Sequence, residues 1–302
     1  GQLTSANNFS QELFNCGSAI DSLDEQCVWS RLEMTTRDRT SSFENFRVEA
    51  ATTRFSGGFE QNIGNDWSVV GAINYEHVDQ TDVDDQRSHT TGQGFSAGVG
   101  VEKNNANNHF YGASISGGWS WLDTERAVTI FERGVGVSAP ETGYLRASVH
   151  VGNMWRHGQA FASPSFSLDL TNLHHAGLVE EGLEGIGVEV LEHDQFIAAI
   201  NPEVTMGYVF NETQTSSLIS SITMGMRISS QDRLELPIRF IGANPDAQAA
   251  EIGTVLDQVV YQLGADIQIS GDDNLGLHFS YDGEFGEDTE HHRAGFDLRL
   301  RF

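Results

Sequence analysis

The chain ends on Glu287-Asp-Thr-Glu-His-His-Arg-Ala-Gly-Phe-Asp-Leu-Arg-Leu-Arg-Phe302. Ala294, Phe296, Leu298, Leu300 and Phe302 fall on one face, and Arg293, Gly295, Asp297, Arg299 and Arg301 on the other. A period of two is the period of a β-strand, whose successive side chains point to opposite sides. A ribbon with one aliphatic and one charged face fits a wall between hydrocarbon and a wet lumen. The ending therefore points to a strand of an outer-membrane β-barrel.

Working upstream, the same alternation recurs. Leu275, Leu277, Phe279, Tyr281 and Phe285 oppose His278, Ser280, Asp282 and Glu284, and Val259, Tyr261, Leu263, Ala265, Ile267 and Ile269 oppose Gln262, Gly264, Asp266 and Gln268. Leu218, Ile222, Met224, Met226 and Ile228 oppose Ser221, Thr223, Gly225 and Arg227. Ala162, Pro164, Phe166, Leu168 and Leu170 oppose Ser163, Ser165, Ser167 and Asp169; Leu145, Ala147, Val149 and Val151 oppose Arg146, Ser148, His150 and Gly152. Phe95, Ala97, Val99 and Val101 oppose Ser96, Gly98, Gly100 and Glu102. Such polar faces cannot form the core of a soluble sandwich, because their groups would be buried without partners. Pro164 and Pro202 fall inside apparent strands, where a missing donor predicts a bulge or local break.

Turn signals at Gly64-Asn65, Asn104-Asn105-Ala106, His157-Gly158, Asn211-Glu212-Thr213 and Gly271-Asp272-Asp273 alternate with long links near residues 79–91, 122–141, 171–193 and 229–255. Short turns on one side and long loops on the other define an up-and-down membrane barrel. The expected fold is all-β, a transmembrane antiparallel up-and-down barrel of about 12 strands, an even number as bacterial single-chain barrels require. Trp29, Trp67, Tyr75, Tyr111, Trp119, Trp121, Tyr144, Trp155, Tyr208, Phe210 and Phe302 lie near segment ends, as aromatic girdles would.

Composition sets the outer bounds. The 302 residues carry a net charge of -26, with 32 glycines and 5 prolines, and Lys103 is the only lysine. Mean hydropathy is -0.32, and no stretch approaches the ~20 apolar residues of a membrane helix. The carboxylate excess argues against nucleic-acid binding, which needs cations for phosphates; it keeps long loops soluble. Cys16 and Cys27 are the only cysteines. They read as a small disulfide loop in an oxidising compartment or as two separate buried thiols. The opening residues lack a signal peptide's basic region and apolar core, so an exported form is expected to derive from a longer precursor. Residues 1–26 differ from the rest: Phe9, Leu13, Ile20 and Leu23 recur at loosely helical spacing, with Thr4, Ser5 and Asn7 as candidate caps. This divides the chain into a linker or pore helix (1–26) and a barrel (27–302).

From Cys27 on, the chain resembles the C-terminal translocator domain of bacterial autotransporters (type V secretion). The signatures are Cys27-Val-Trp-Ser-Arg31 in the opening strand, then Ser56-Gly-Gly-Phe-Glu60 and Asn65-Asp-Trp-Ser-Val-Val-Gly71. They continue with Tyr111-Gly-Ala-Ser-Ile-Ser-Gly-Gly-Trp119, Ser163-Pro-Ser-Phe166 and Asn201-Pro-Glu-Val204. The resemblance implies a twelve-stranded barrel in the outer membrane, a helical segment through its pore and export of an N-terminal passenger. It also implies an assembly signal at Phe296, Leu298, Leu300 and Phe302, read by the barrel-assembly machinery. Periplasmic chaperones, outer-membrane lipid or lipopolysaccharide and the passenger are the implied partners, with the barrel a monomer. In some members an asparagine within the pore cyclises to release the passenger; Asn7-Asn8 is compatible with that chemistry, although asparagines are also common helix caps.

Other chemistry is sparse. Gly94-Phe-Ser-Ala-Gly98 satisfies the nucleophile-elbow expression, but strand alternation runs through it where a sharp turn is needed. His174-His175 and His291-His292 would point to opposite faces of a strand, which disfavours a shared metal. Asp82, Asp84 and Asp85 miss the calcium-loop spacing. No cofactor or metal is expected. Lumen-facing Arg146, Asp169, Glu203, Arg227, Asp266, Asp282, Glu284, Arg299 and Arg301 are expected to pair across the interior or to contact the pore segment. The expected function is a non-enzymatic outer-membrane translocator. A porin-like channel is the alternative, and a barrel-borne hydrolase using Ser96 is the more remote one.

Overall fold

A computed structural model describes residues 2–14, 16, 26–39, 48–82, 88–105, 108–128, 134–183, 187–210, 217–242, 249–271 and 274–302. One helix, α1 (Gln2–Glu12), precedes the long strands. These are β1 (Cys27–Arg39), β2 (Val48–Gly64), β3 (Trp67–Asp82), β4 (Ser88–Asn104), β5 (His109–Val128), β6 (Glu141–Asn153), β7 (Ala160–His175), β8 (His193–Phe210), β9 (Ser217–Ser229), β10 (Val259–Ser270), β11 (Leu275–Phe285) and β12 (Thr289–Arg301). Each pairs antiparallel with its sequence neighbours, and the result is a closed 12-strand barrel. Closure is made by β12 on β1, in register from Cys27↔Arg301 to Arg39↔Thr289. Gln26 and Phe302 exchange backbone hydrogen bonds of 3.2 and 3.0 Å and extend the seam by one more pair.

The alternation reads out as expected on β12. Leu298, Leu300 and Phe302 are exposed to the surroundings (42, 50 and 65%), whereas Asp297 is fully buried (0%). Around the barrel the outward apolar residues form rows, such as Phe59, Val99 and Ile115 with Ala147. Two aromatics assigned to the girdles turn inward instead: Trp29 and Tyr144 are buried. Trp29 shares the parity of Arg31 and Glu33 on β1, and a strand's period of two leaves it no other side.

The turn between β2 and β3 is Asn65-Asp66, both with positive φ (54 and 62°). That is the two-residue turn whose twist matches a tight hairpin. The 104–106 turn spans Asn104, Asn105 and the undescribed Ala106; the Asn211-Glu212-Thr213 turn and Asp272-Asp273 also lie outside the described residues. At the other end, the strands outrun the expected links, β3 reaching Asp82 and β5 Val128. The long links fold further: Gly134–Ser138 pairs back on β5, and Leu178–Val179, Val188–Val190, Arg233–Phe240 and Ala250–Val255 form a separate four-stranded sheet.

The prolines cost less than expected. Pairing of β7 with β6 stops at Ser165, so the donor that Pro164 lacks faces no partner there. Between β8 and β9 the ladder omits Asn201 and Pro202, then resumes in the same register at Glu203↔Gly225. The break at Pro202 is thus local and one-sided, with no bulge.

The lipid assignment has a direct test. Ile115→Arg, mid-strand on the outward face, is expected to destabilise the barrel by about 2–4 kcal/mol. Ser116→Ala, the next residue and inward, should shift stability by no more than about 1 kcal/mol. Denaturant unfolding in lipid vesicles, followed by the heat-modifiable gel band, measures both.

Candidate functional site: the plugged lumen

The inward face of the barrel surrounds α1, and the helix contacts β5, β6 and β7 most closely. Leu3 sits toward the long-link end, and Cys16 lies at the short-turn end. Thr4, Ser5 and Asn7 are not caps, because the helix already begins at Gln2. Ser5 and Asn7 use their side chains on the barrel wall instead. Ile20 and Leu23 lie outside the described residues.

Three zones follow one another along the helix. Nearest the short turns is an apolar collar in which Phe9, Leu13 and Cys16 meet Cys27, Trp29, Val70 and Ala72, with Phe14 packed against them. The lumen is therefore not uniformly polar as the alternation implied. An amphipathic plug needs apolar partners where its own apolar side lies. Gly98 makes room for it: a methyl group there would stand 3.1 Å from both Leu13 and Phe9. Cys16 and Cys27 are joined as a disulfide across 6.0 Å between Cα atoms, tying the end of the helical segment to the first residue of β1.

Above the collar lies an ion network centred on Glu33, which is 1% exposed. Arg54 reaches it at 2.8 Å, Arg31 at 3.1 Å and Arg293 at 3.7 Å. Arg31 also pairs with Asp297 at 2.9 Å, across the β1–β12 seam, and donates to Ser280 at 2.9 Å. Gly295 leaves room here, because a side chain would push the Arg31 guanidinium out of its place. Arg54 continues to Glu76 at 3.0 Å. The helix enters the same network: Glu12 accepts from Ser56 at 2.7 Å and lies 3.5 Å from Arg54 and 3.9 Å from Arg31. Ser5 donates to Glu76 at 2.8 Å. Across the lumen Arg146 donates to Asn7 and pairs with Asp169 at 2.6 Å, while Asp169 also accepts from Ser148 and Asn201. Arg293 donates to Gln11 at 3.2 Å. Charges in so enclosed a space persist only when paired.

The third zone is a vestibule of about 530 Å³ at the long-link end, bounded by Leu3, Asn7, Arg37, Arg227, Leu234 and Ile252 among others.

The lumen residues read from sequence all occupy this interior, though mostly in pairs along the wall rather than across it. Arg227 meets Glu284 at 2.9 Å, Asp282 meets Arg293 at 3.2 Å, and Asp266 meets His278 at 3.0 Å. Glu203 accepts from Ser165 at 2.9 Å, Arg299 donates to Gln268 at 3.2 Å, and Arg301 is half-buried at the rim. Of the charges expected to contact the pore segment, Arg146 does so; Arg293, which that reading did not name, also reaches the helix. The centre of the network, Arg31, Glu33, Arg54, Glu76 and Glu12, is missing from that reading. Leu32 and Met34 against Arg31 and Glu33, and Phe55 against Arg54 and Ser56, carried the signal.

Asn7 and Asn8 are buried in the middle of the helix, not at a cap. Ser96 lies mid-strand, paired with Asn74 on one side and Gly118 on the other, so the Gly94–Gly98 segment makes no elbow. His291 faces inward near Glu284 (3.7 Å), and His292 faces outward against Tyr281. Among the described residues no cluster of three or more His, Cys, Asp or Glu could hold a metal. Asp84 and Asp85 are outside the described residues.

Glu33→Gln removes the carboxylate that three guanidinium groups share, although each keeps another acidic partner, and is expected to cost about 1–3 kcal/mol. Glu12→Gln, at the network's edge, should cost less. The temperature at which the fast-migrating gel band is lost ranks the two variants.

Comparison with known proteins agrees with this geometry. The family model described as autotransporter beta-domain matches residues 28–282. No curated protein matches the sequence significantly. The fold is similar to the translocator domain of the autotransporter NalP from Neisseria meningitidis (TM-score 0.77, 9% identity, 99% of this chain and 96% of that one). It is also similar to the β domain of the Bordetella autotransporter BrkA (0.66, 12%, 91% and 98%). The transport unit of AIDA-I from Escherichia coli is a third likeness (0.59, 11%, 99% and 97%). At such identities the solved structures speak for the fold, and the family match carries the assignment: the chain belongs to the autotransporter β-domain family and is a translocator barrel of the bacterial outer membrane.

Proposed function

We propose that this barrel exports a passenger segment lying N-terminal to α1 and keeps it anchored at the cell surface. One observation carries the reading: α1 lies along the lumen, with Leu3 at the vestibule and Cys16 tied to β1 at the opposite end. A chain arrested after passing outward would rest in that way. Residues 1–26 are then the linker and pore segment, and residues 27–302 the translocating and anchoring unit. The outward row Phe296, Leu298, Leu300 and Phe302 serves as the signal for the barrel-assembly machinery, after escort by periplasmic chaperones. Outer-membrane lipid and lipopolysaccharide surround the finished monomer. The barrel itself performs transport, not catalysis.

A second, separable step would end that anchoring. At Asn7 or Asn8 the side-chain amide nitrogen would attack its own backbone carbonyl carbon. A succinimide then ends the departing fragment, and the next residue's nitrogen takes a proton as the new amino terminus. Arg146, which donates to Asn7, holds that side chain against the wall.

The test joins a reporter domain ahead of Gly1. On intact cells the reporter should be degraded by added protease, and a Phe302 deletion with Leu300→Asp should abolish surface display by blocking assembly. Retention of the reporter in the periplasm with a correctly inserted barrel contradicts export. In planar bilayers the whole chain should conduct weakly and a variant lacking residues 2–14 strongly. Equal high conductance from both favours the porin-like alternative. Intact-mass measurement decides release separately: an uncleaved fusion denies that step without touching export.

A further inference from the structure

Both halves of the disulfide are buried once the barrel is closed. Cys16 and Cys27 are 7 and 4% exposed and belong to the apolar collar with Phe9, Leu13, Trp29, Val70 and Ala72. Forming or breaking a disulfide requires a third sulfur to approach one of the two, so access governs the rate. Cys27 cannot swing out to meet such a reagent. Its backbone is paired on both sides, to Arg301 of β12 and to Glu60 of β2, and Gln26–Phe302 pairing continues the seam past it. Cys27 is thus not a frayed strand end. A few residues up the same seam, the Arg31–Asp297 ion pair at 2.9 Å holds β1 to β12. Exposing the Cys27 sulfur means disturbing the collar or the barrel's closure.

We propose that the Cys16–Cys27 bond is formed before β12 closes on β1, by exchange with a dithiol-type protein oxidant of the periplasm acting on the unassembled chain. The thiolate of one cysteine attacks the oxidant's disulfide, forming a mixed disulfide and expelling one oxidant thiolate. The second cysteine's thiolate then attacks the first cysteine's sulfur. The oxidant leaves as the dithiol, carrying two electrons, and the two protons from the cysteines balance its two thiols. The sequence of events follows from the geometry. The tether between pore segment and β1 is then already covalent when β12 closes on β1. The inference rests on the outer-membrane location and on the fold, and it stands or falls independently of passenger export.

The test uses the full chain recovered folded from outer membranes. A phosphine reductant and a polyethylene-glycol maleimide are added to the folded, heat-modifiable species and, in parallel, to the chain in denaturant. The unfolded chain should take two labels promptly, and the folded one should label on the order of a hundredfold more slowly, limited by rare opening of the seam. In a second arm the reduced chain is folded into detergent and then offered an oxidised dithiol protein. Its thiols should stay free, whereas oxidant supplied before folding should close the bond. If the reduced chain does not fold at all while the oxidised chain does, closure has to precede folding and the proposal is supported. Labelling of the folded species at the unfolded rate overturns it. So does equally fast closure after folding, or recovery of the native protein with two free thiols.

Discussion

Hydrocarbon offers no hydrogen bonds, so every backbone N–H and C=O that crosses it must find its partner within the protein. For strands the solution is closure, and here closure rests on one ladder, β12 on β1. The remaining architecture follows from that ladder. Once the sheet is closed, the period of two sends half the side chains to lipid and half to the enclosed space. The enclosed half carries guanidinium and carboxylate groups, and these must neutralise one another because little solvent reaches them. Glu33 with Arg31, Arg54 and Arg293 is the densest point of that neutralisation, and Arg31–Asp297 places part of it on the seam itself. The interaction that closes the barrel and the interactions that fill it therefore share residues.

The helix completes the interior as well as blocking it. Glu12 joins the network, Ser5 and Asn7 satisfy groups on facing walls, and Phe9 and Leu13 give Trp29 and Val70 an apolar neighbour inside a polar tube. Collar, network and vestibule succeed one another from the short turns to the long links. This gradient suits a segment that is held firmly at its inner end and faces open space at its outer one. The four-stranded sheet of the long links supplies part of the vestibule wall through Leu234 and Ile252. The links are thus ordered architecture in their own right.

How much of this was legible depended on which periodicity carried it. The terminal strand needed only alternation, and its faces lie as Leu298 and Asp297 indicated. The strand number came from turn chemistry, since Gly64-Asn65 (one residue before the Asn65-Asp66 turn itself) and the other short turns punctuate the sequence at barrel spacing. The interior was harder, because β1 through β3 mix small, aromatic and charged residues on one face. There Trp29 passes for a girdle residue, and Arg31, Glu33 and Arg54 look like ordinary solvated charges. Only the meeting of α1 with β12, β1, β2 and β3 makes them a network, and sequence spacing says nothing of that meeting. The caps failed for a related reason: Ser5 and Asn7 have the right residue types for a helix start, but the lumen wall competes for their side chains and wins.

Spin-label accessibility along residues 293–300 in lipid vesicles tests the central claim most directly. Labels introduced singly at Ala294, Phe296, Leu298 and Leu300 should collide freely with oxygen dissolved in the bilayer. Labels at Arg293, Gly295, Asp297 and Arg299 should be shielded from it and strongly immobilised. An inverted alternation, or none, would mean that lipid does not bathe the aliphatic ribbon and that the barrel described above is not the protein's membrane form.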